Sequence, residues 1–197
     1  MRLSVYDVIR SRRSIRSFDA RPIPRESIQR MLEAGRLAPN RSNNQPLRFW
    51  AVCSPALCRA IFPQTRWAAR LPDGQGKPAP GHEPTAYILL LVDQQLCADG
   101  AKIDVGAAGA SILLQARSEG IGSCWLGAIN RDGIAQTLGI DQDKLAIDSI
   151  IALGYPDMEP VARDMGPEET DPAYYIDDNG TFTVPKRAPE ITERIIG

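Results

Sequence analysis

Ala86-Tyr87-Ile88-Leu89-Leu90-Leu91-Val92-Asp93 is the most apolar stretch of this sequence. Its unbroken apolar run, from Ala86 to Val92, is far shorter than the roughly 20 residues that a membrane-spanning helix needs. A short apolar run of this kind is typical of a strand that is buried on both faces. The stretch therefore predicts an interior strand of a globular protein, and we expect no membrane-spanning segment.

Further strands and helices are predicted on both sides of this stretch. Three strands are expected at 47–53, 121–127 and 146–153, and capping residues and helical spacing predict helices after Ser4 and over about 25–37, 55–62, 100–119 and 130–139. The helix at about 100–119 contains Gly106 and Gly109. Because a glycine inside a helix costs about 1 kcal/mol relative to alanine, we expect another helix to approach this face closely.

Two segments lack regular patterns. Residues 71–84 contain four Pro and three Gly, which favours either a functional loop that covers a site or an idle surface insertion. After Pro156 the chain becomes polar, and the residues at 177–180 (Asp-Asp-Asn-Gly) predict a hairpin turn between 174–176 and 182–184. We expect residues 1–197 to form a single domain with a C-terminal arm at about 157–197.

The charges of the chain nearly cancel but are unevenly distributed. The net charge is −1, and 43% of the 197 residues are apolar, as in ordinary globular proteins. Residues 1–50 carry eleven arginines and four acidic groups, whereas residues 141–197 carry five basic and thirteen acidic groups. An arginine-rich segment could bind nucleic acid, an anionic cofactor, or the acidic tail of its own or a partner chain.

Cysteine and histidine content limits the possible chemistry. The single histidine, His82, excludes metal sites with two histidines, and the four cysteines have no ligand-like spacing. We therefore expect no metal. No apolar stretch follows Arg2, so we expect no secretory signal, a cytoplasmic location and reduced thiols.

Three short motifs could bind a ligand. Arg12-Arg13-Ser14-Ile15-Arg16 offers three guanidinium groups and a hydroxyl to a phosphate, although basic helix ends are common. The loop at 40–45 offers amide side chains that suit the polar edge of a heterocycle, or that simply form a turn. The strand end at 123–127 (Ser-Cys-Trp-Leu-Gly) would allow a planar ring to approach the backbone, and it is equally typical of a structural strand end.

Taken in order, these motifs resemble the nitroreductase family of FMN-dependent oxidoreductases. The resemblance rests on the helix followed by Arg-Arg-Ser-Ile-Arg, on APNRSNNQP at 38–46, on the small-residue helix leading into GIGSCWLG at 120–127, and on IIALGYP at 150–156. It covers nearly the whole chain and is weakest over 63–85 and the tail.

The resemblance implies an α+β fold with a central, mostly antiparallel sheet flanked by helices. It also implies a homodimer in which the C-terminal arm embraces the partner and both chains contact two FMN molecules. Carried over residue by residue, the cofactor-binding set is Arg12, Arg13, Ser14, Arg16, Asn40, Arg41, Asn43, Leu126, Gly127, Lys186 and Arg187. Within that set, Asn40, Arg41 and Asn43 are expected to reach the flavin of the partner chain.

The sequence departs from the family pattern at two positions. Leu47 stands where members often have Trp, and Leu126 stands where many have Glu, which leaves only a backbone group there to face the flavin N5. The segment 63–85 has no sure counterpart, and Trp67 and Arg70 at its base are candidates for contact with a substrate.

The implied reaction is ping-pong transfer of a hydride from NADH or NADPH through FMN to a small-molecule acceptor such as a nitroaromatic or a quinone. The cofactor carries the chemistry, which agrees with a chain nearly free of histidine. Two alternatives stay open. The first is a flavin-binding protein without redox turnover, which stores or breaks down FMN. The second is a nucleic-acid binder, against which the near-neutral charge and the lack of interleaved aromatic residues argue. We expect neither nucleic acid nor membrane as a partner.

Overall fold

The computed structural model describes residues 3–72, 74–96 and 101–196. Its helices are α1 (Val5–Ser11), α2 (Arg25–Arg36), α3 (Pro55–Ile61), α4 (Lys102–Ser118), α5 (Arg131–Leu138) and α6 (Pro189–Thr192). Its strands are β1 (Leu47–Val52), β2 (Ala86–Asp93), β3 (Gly122–Leu126), β4 (Leu145–Gly154), β5 (Val161–Asp164), β6 (Tyr175–Ile176) and β7 (Phe182–Lys186). Short 3-10 turns occur at Arg41–Asn43 and Phe62–Gln64. One of the four cysteines, Cys97, lies outside the described residues.

A four-stranded antiparallel sheet forms the centre, in the order β1-β2-β4-β3. Because successive side chains of a strand point to opposite faces, Tyr87 and Leu89 of β2 enter one core, and Ile88 and Leu90 enter the other. All four are fully buried. Burial on both faces explains why this stretch is apolar throughout, and the expected α+β fold with a mostly antiparallel central sheet is confirmed.

Helices cover both faces of the sheet. Ile61 of α3 and Ile134 of α5 join the core on one face, whereas Met31 of α2 and Ile112 of α4 join the core on the other. The predicted hairpin is confirmed: β6 pairs with β7 antiparallel, and β7 pairs on its other edge with β5 in parallel. The C-terminal segment therefore forms a small second sheet.

The glycines of α4 have different surroundings. A Cβ built on Gly109 would overlap the indole ring of Trp125 on β3, whereas a Cβ on Gly106 would meet nothing within 4 Å. The expectation that another helix packs against Gly109 is wrong within the described chain, because the aromatic side chain of the neighbouring strand fills that space. The surface at Gly106 is open.

The loop after α2 is not the simple polar loop that the sequence predicts. It contains a 3-10 turn, and three of its residues have left-handed backbone angles: Ser42 (φ 53°), Asn43 (φ 55°) and Gln45 (φ 48°). Residues other than glycine adopt such angles at a cost of about 1–3 kcal/mol each, and they do so mostly where the surroundings hold them, often at functional sites.

Candidate functional site

The Arg-Arg-Ser-Ile-Arg segment lies along the free edge of β3. A capping box between Ser4 and Asp7 starts α1, and the helix ends at Arg12, whose backbone is extended. Ser14 then forms a parallel bridge with Ser123, and the Ile15 amide donates to the Ser123 carbonyl at 2.9 Å. The segment is thereby held as an additional short strand, in which alternate side chains point to opposite sides.

Arg12, Ser14 and Arg16 all influence the pKa of the buried thiol of Cys124. Burial raises the pKa of Cys124, and the charges of Arg16 and Arg12 and a hydrogen bond with Ser14 oppose that rise. The three residues at even positions therefore share one side of the segment. Burial likewise lowers the pKa of Arg12. This cluster is a group of partly desolvated cations around a small, protonated thiol.

Lys186, at the end of β7, joins the same cluster. Its pKa is lowered by burial and by repulsion from Arg13 and Arg12. Among the described residues, no carboxylate lies within 4 Å of the cationic groups of Arg12, Arg13, Arg16 or Lys186. Cations held together without an anion are disfavoured unless a ligand neutralises them, so this cluster is suited to an anionic group such as a phosphate.

Arg16 has the most specific environment of these residues. Its guanidinium carbon lies 4.6 Å from the centroid of the Phe182 ring and 5.1 Å from that of Tyr174. Its Nε is buried and has no hydrogen-bond partner, although buried polar groups almost always have one. The unused donor fits a ligand that supplies an acceptor atom at this position.

Arg13 points to the other side of the segment. Its guanidinium donates to the carbonyls of Arg12 and, at 2.8 Å, Arg10, so it caps the end of α1. It still contributes charge to the cluster, as its effect on Lys186 shows. Arg187 follows β7 and is exposed.

Leu126 and Gly127 lie at the end of β3, on the edge that carries the Arg-Arg-Ser-Ile-Arg segment. The Leu126 side chain is buried, whereas Gly127 is exposed and a Cβ there would meet nothing within 4 Å. The Gly127 carbonyl accepts from Arg131 Nη2 at 3.2 Å. The Gly127 carbonyl is therefore anchored and no side chain projects there, and the contact of this strand end with a flavin stays a prediction.

The structure does not bring Asn40, Arg41 and Asn43 to the cationic cluster of the same chain. Their loop borders a cavity of about 570 Å³ between α2 and the start of α4, and this cavity shares no lining residue with the one of about 580 Å³ beside Arg12 and Arg13. The Arg41 amide donates to the buried carboxylate of Asp104 at 2.9 Å. Two separate polar regions are thus present on one chain.

Of the two substrate candidates, Trp67 does not reach the surface. Its ring is 7% exposed, its Nε1 donates to Thr65 Oγ1 at 2.8 Å, and it belongs to the core beneath α3 and α5. Burial with a satisfied N–H gives Trp67 a structural role. Arg70 is exposed, and its backbone amide donates to the Tyr174 hydroxyl at 3.3 Å, which places it near Arg16.

Sequence reasoning missed three residues that surround the cluster. Tyr174 and Phe182 were expected only as strand residues of the hairpin, and Met158, whose sulfur accepts from the Arg16 amide at 3.0 Å, gave no signal. The described residues contain no group of three or more His, Cys, Asp or Glu that could hold a metal ion. No helix within the described ranges combines the length and apolarity needed to cross a membrane.

Comparison with known proteins identifies the chain's relatives. The family model described as "Nitroreductase family" matches residues 9–155. A Bacillus subtilis protein named "Putative NAD(P)H nitroreductase YfhC" is 34% identical over 173 residues, which cover 82% of this chain and 89% of that protein. An Archaeoglobus fulgidus protein named "Putative NADH dehydrogenase/NAD(P)H nitroreductase" is 33% identical over 156 residues, covering 76% of this chain and 83% of that one.

A solved structure extends the similarity to the fold. It is described as a putative nitroreductase in complex with FMN from Desulfovibrio desulfuricans, and it has a TM-score of 0.68 at 27% identity, covering 87% of this chain and all of that one. Residues 9–155, which the family model matches, include the Arg-Arg-Ser-Ile-Arg segment, the central sheet and α4. The chain belongs to the nitroreductase family.

Proposed function

We propose that this chain is an FMN-dependent NAD(P)H oxidoreductase that passes a hydride by way of the flavin to a small-molecule acceptor such as a nitroaromatic or a quinone. The observation that carries the proposal is the buried, unpartnered Nε of Arg16 beside the unneutralised charges of Arg12 and Lys186. The names of the relatives support the NAD(P)H and nitroreductase parts of the proposal, and the neighbouring FMN complex supports the cofactor.

In this proposal the phosphate of FMN binds at Arg12, Ser14 and Lys186, with Arg13 and Arg187 adding positive charge. Arg16 donates to polar atoms of the ribityl chain or the pyrimidine ring, and the backbone of Leu126 and Gly127 faces the ring system. When bound, the flavin supplies hydride acceptance and donation at N5. Among these groups, Arg16 would stabilise negative charge on the bound ring system, because its guanidinium is already held in place in a partly dehydrated site.

The proposal needs no acid or base from the protein near the cluster. Cys124 stays protonated, since burial raises its pKa. The single histidine, His82, is paired with a carboxylate, since its Nδ1 lies 2.6 Å from an oxygen of Asp157. The protein's contribution in this scheme is therefore binding, orientation and charge.

We further propose that the functional unit is a homodimer. The loop that carries Asn40, Arg41 and Asn43 lies apart from the cationic cluster of its own chain, and a partner chain could bring such a loop to it. Exposed apolar side chains on a single helix support the presence of a partner: Val5, Tyr6 and Ile9 of α1 are 52–76% exposed. Such a surface usually marks a protein interface.

The test begins with purified protein. We expect a yellow protein that releases FMN on heat denaturation and that oxidises NADH or NADPH in the presence of a quinone. Bound FMN without turnover would favour the storage or breakdown alternative, and a protein that binds no flavin would overturn the proposal. Analytical ultracentrifugation tests the dimer independently, because it measures the molar mass in solution, which should be twice that of the chain.

Arg12→Ala tests the phosphate assignment. Loss of a hydrogen bond to a charged group costs about 1.5–3 kcal/mol, so the dissociation constant of FMN should rise about 10- to 150-fold. The dissociation constant of riboflavin should rise less, because riboflavin lacks the phosphate. Arg25→Ala, which removes an exposed arginine at the start of α2, is the matched control and should leave both constants unchanged.

A further inference from the structure

The C-terminal hairpin holds Arg16 between two aromatic rings. The rings of Tyr174 and Phe182 lie 5.6 Å apart at an angle of 32°, and the Arg16 guanidinium packs on both. Tyr174 precedes β6 and Phe182 starts β7, so the hairpin turn at 177–180 brings the two rings together. Phe182 is 5% exposed. We call this pair of rings the aromatic clamp.

Two residues between β1 and β2, Arg70 and Gly76, contact the aromatic clamp. The backbone amide of Arg70 donates to the Tyr174 hydroxyl. Gly76 packs so tightly that a Cβ there would lie 3.3 Å from Phe182 Cε2 and 2.6 Å from the Cβ of Ala68. Gly76 also has φ +71°, which disfavours any other residue. Arg70 and Gly76 therefore hold the two rings on which Arg16 packs.

The contacts of the aromatic clamp are made through the ring faces and leave the donors of Arg16 available. A cation over a ring face is attracted without using its N–H groups. The Arg16 amide is bound separately by the sulfur of Met158, which fixes the backbone. The combination fixes the position of the guanidinium while its buried Nε keeps no partner in the protein.

We propose that Tyr174 and Phe182 are positioning residues of the flavin site, which hold the Arg16 guanidinium so that its Nε–H is free for an acceptor atom of the bound ligand. This inference rests on the proposed function for the identity of that ligand. The two rings act through Arg16 and do not touch the cofactor, whereas Lys186 is proposed to bind the phosphate directly.

The position of Arg16 can be measured without any flavin. In the ¹⁵N-edited spectrum of the purified protein, the Arg16 Nε–Hε signal should show a ring-current shift, and its absence in Arg16→Lys identifies the signal. Phe182→Leu should change that shift clearly, leaving only the contribution of Tyr174. The matched control is Tyr175→Leu, which changes an aromatic residue of the same hairpin whose hydroxyl accepts from Arg163, and it should leave the signal in place.

The consequence for the cofactor is measured as the dissociation constant of FMN. Loss of one cation–π contact in a desolvated site should weaken binding about 3- to 30-fold in Phe182→Leu, and Tyr175→Leu should stay within about twofold of the parent protein. In the Arg16→Ala background, Phe182→Leu should cause no further loss, since the ring acts through Arg16. If Phe182→Leu does not fold, Tyr174→Leu, at a half-buried position, provides the same test, again with Tyr175→Leu as its control.

The outcomes separate this inference from the proposed function. An unshifted Arg16 signal, or a loss of FMN affinity in Phe182→Leu that persists in the Arg16→Ala background, overturns the positioning role and leaves FMN binding intact. If the Arg16 signal is shifted and the shift depends on Phe182, the clamp is upheld. If the same protein binds no FMN, the proposed function is overturned. The inference is upheld in full when the shift and the affinity change together.

Discussion

The indole ring of Trp125 occupies the space that a side chain at Gly109 would need. The ring is fixed from its other side, because Trp125 Nε1 donates to Ser149 Oγ at 2.7 Å. Strand β3 and helix α4 therefore approach each other through one aromatic residue and one glycine. Since β3 also carries the edge on which the cationic cluster is built, this contact supports the candidate site as well as the core.

This contact predicts different costs for two glycine substitutions on α4. Gly109→Ala should lower the free energy of unfolding by about 1–3 kcal/mol, because the added methyl group must displace a fixed indole ring. Gly106→Ala, the matched control one turn earlier, should keep that free energy within about 1 kcal/mol of the parent value, since its methyl group meets open space and alanine favours a helix. Urea unfolding measures both, and equal costs would show that the indole can move aside.

The sequence predicted those parts of the fold that depend on local patterns. Strand β2 could be found because both its faces are buried, and α5 could be bounded because Asn130 caps its start and Gly139 has the left-handed angle that ends it. The hairpin of the tail was predictable from its turn residues. Each of these signals lies within about ten residues.

The surroundings of the candidate site were predictable only in part. The alternating side-chain directions along 12–16 follow from an extended backbone. Nothing in the sequence shows that Phe182 packs on Arg16, because that contact joins positions at opposite ends of the chain. Trp67 illustrates the same limit: an aromatic residue beside a loop rich in Gly and Pro has the same local sequence whether its ring points inward or outward.

The carboxylate of Asp104 predicts how rigid the loop at 40–45 is. It is buried and accepts the Arg41 amide at 2.9 Å, next to the three residues with left-handed backbone angles. Asp104→Ala removes this acceptor, so amide exchange at 41–45 should become at least about tenfold faster, which corresponds to about 1.4 kcal/mol of lost protection. Asp104→Asn keeps an acceptor oxygen and should change exchange by less than about threefold. Unchanged exchange in Asp104→Ala would mean that other contacts hold the loop.

The ion pair between Arg30 and Glu119 predicts a pH-dependent contribution to stability. It joins α2 to the end of α4 at 2.7 Å, and hydrogen bonding to Arg30 lowers the pKa of Glu119 to about 2. A carboxyl group with a pKa lowered in the folded state stabilises that state above its unfolded pKa of about 4.3, and this contribution is lost as the pH falls toward 2.

The corresponding measurement compares Glu119→Gln with the parent protein over a pH series. We expect the variant to be less stable by about 1 kcal/mol at pH 7, since the pair is partly exposed to solvent, and the difference to shrink steadily between pH 5 and pH 3. Glu33→Gln is the control, because Glu33 and Arg36 form an exposed pair at 3.4 Å, and its difference should stay near zero throughout. A Glu119→Gln difference that is constant with pH would count against the role of this pair.

Shortening the loop at 71–84 should have both a structural and a kinetic effect. The carbonyl of His82 accepts the amide of Phe18, whose ring is fully buried, at 3.1 Å, and Gly76 packs on Phe182. Deletion of residues 73–82 removes both contacts. Since an unsatisfied buried amide costs about 1–3 kcal/mol, and 1 kcal/mol shifts the Tm of a chain of this size by about 2–4 °C, the Tm should fall by roughly 2–12 °C.

The kinetic effect decides whether this loop covers the flavin or is an idle insertion. If it covers the site, the deletion should change the ratio of kcat/KM for a quinone to that for a nitroaromatic by at least about threefold, measured well below the Tm so that the folded state dominates. This ratio is insensitive to a loss of folded protein, which lowers both values equally. His82→Ala is the control, because it keeps the backbone carbonyl and removes only the contact with Asp157, and it should preserve the ratio. Should the deletion also preserve the ratio while lowering the Tm, the loop would be a support for Phe18 and Phe182 with no part in the choice of acceptor.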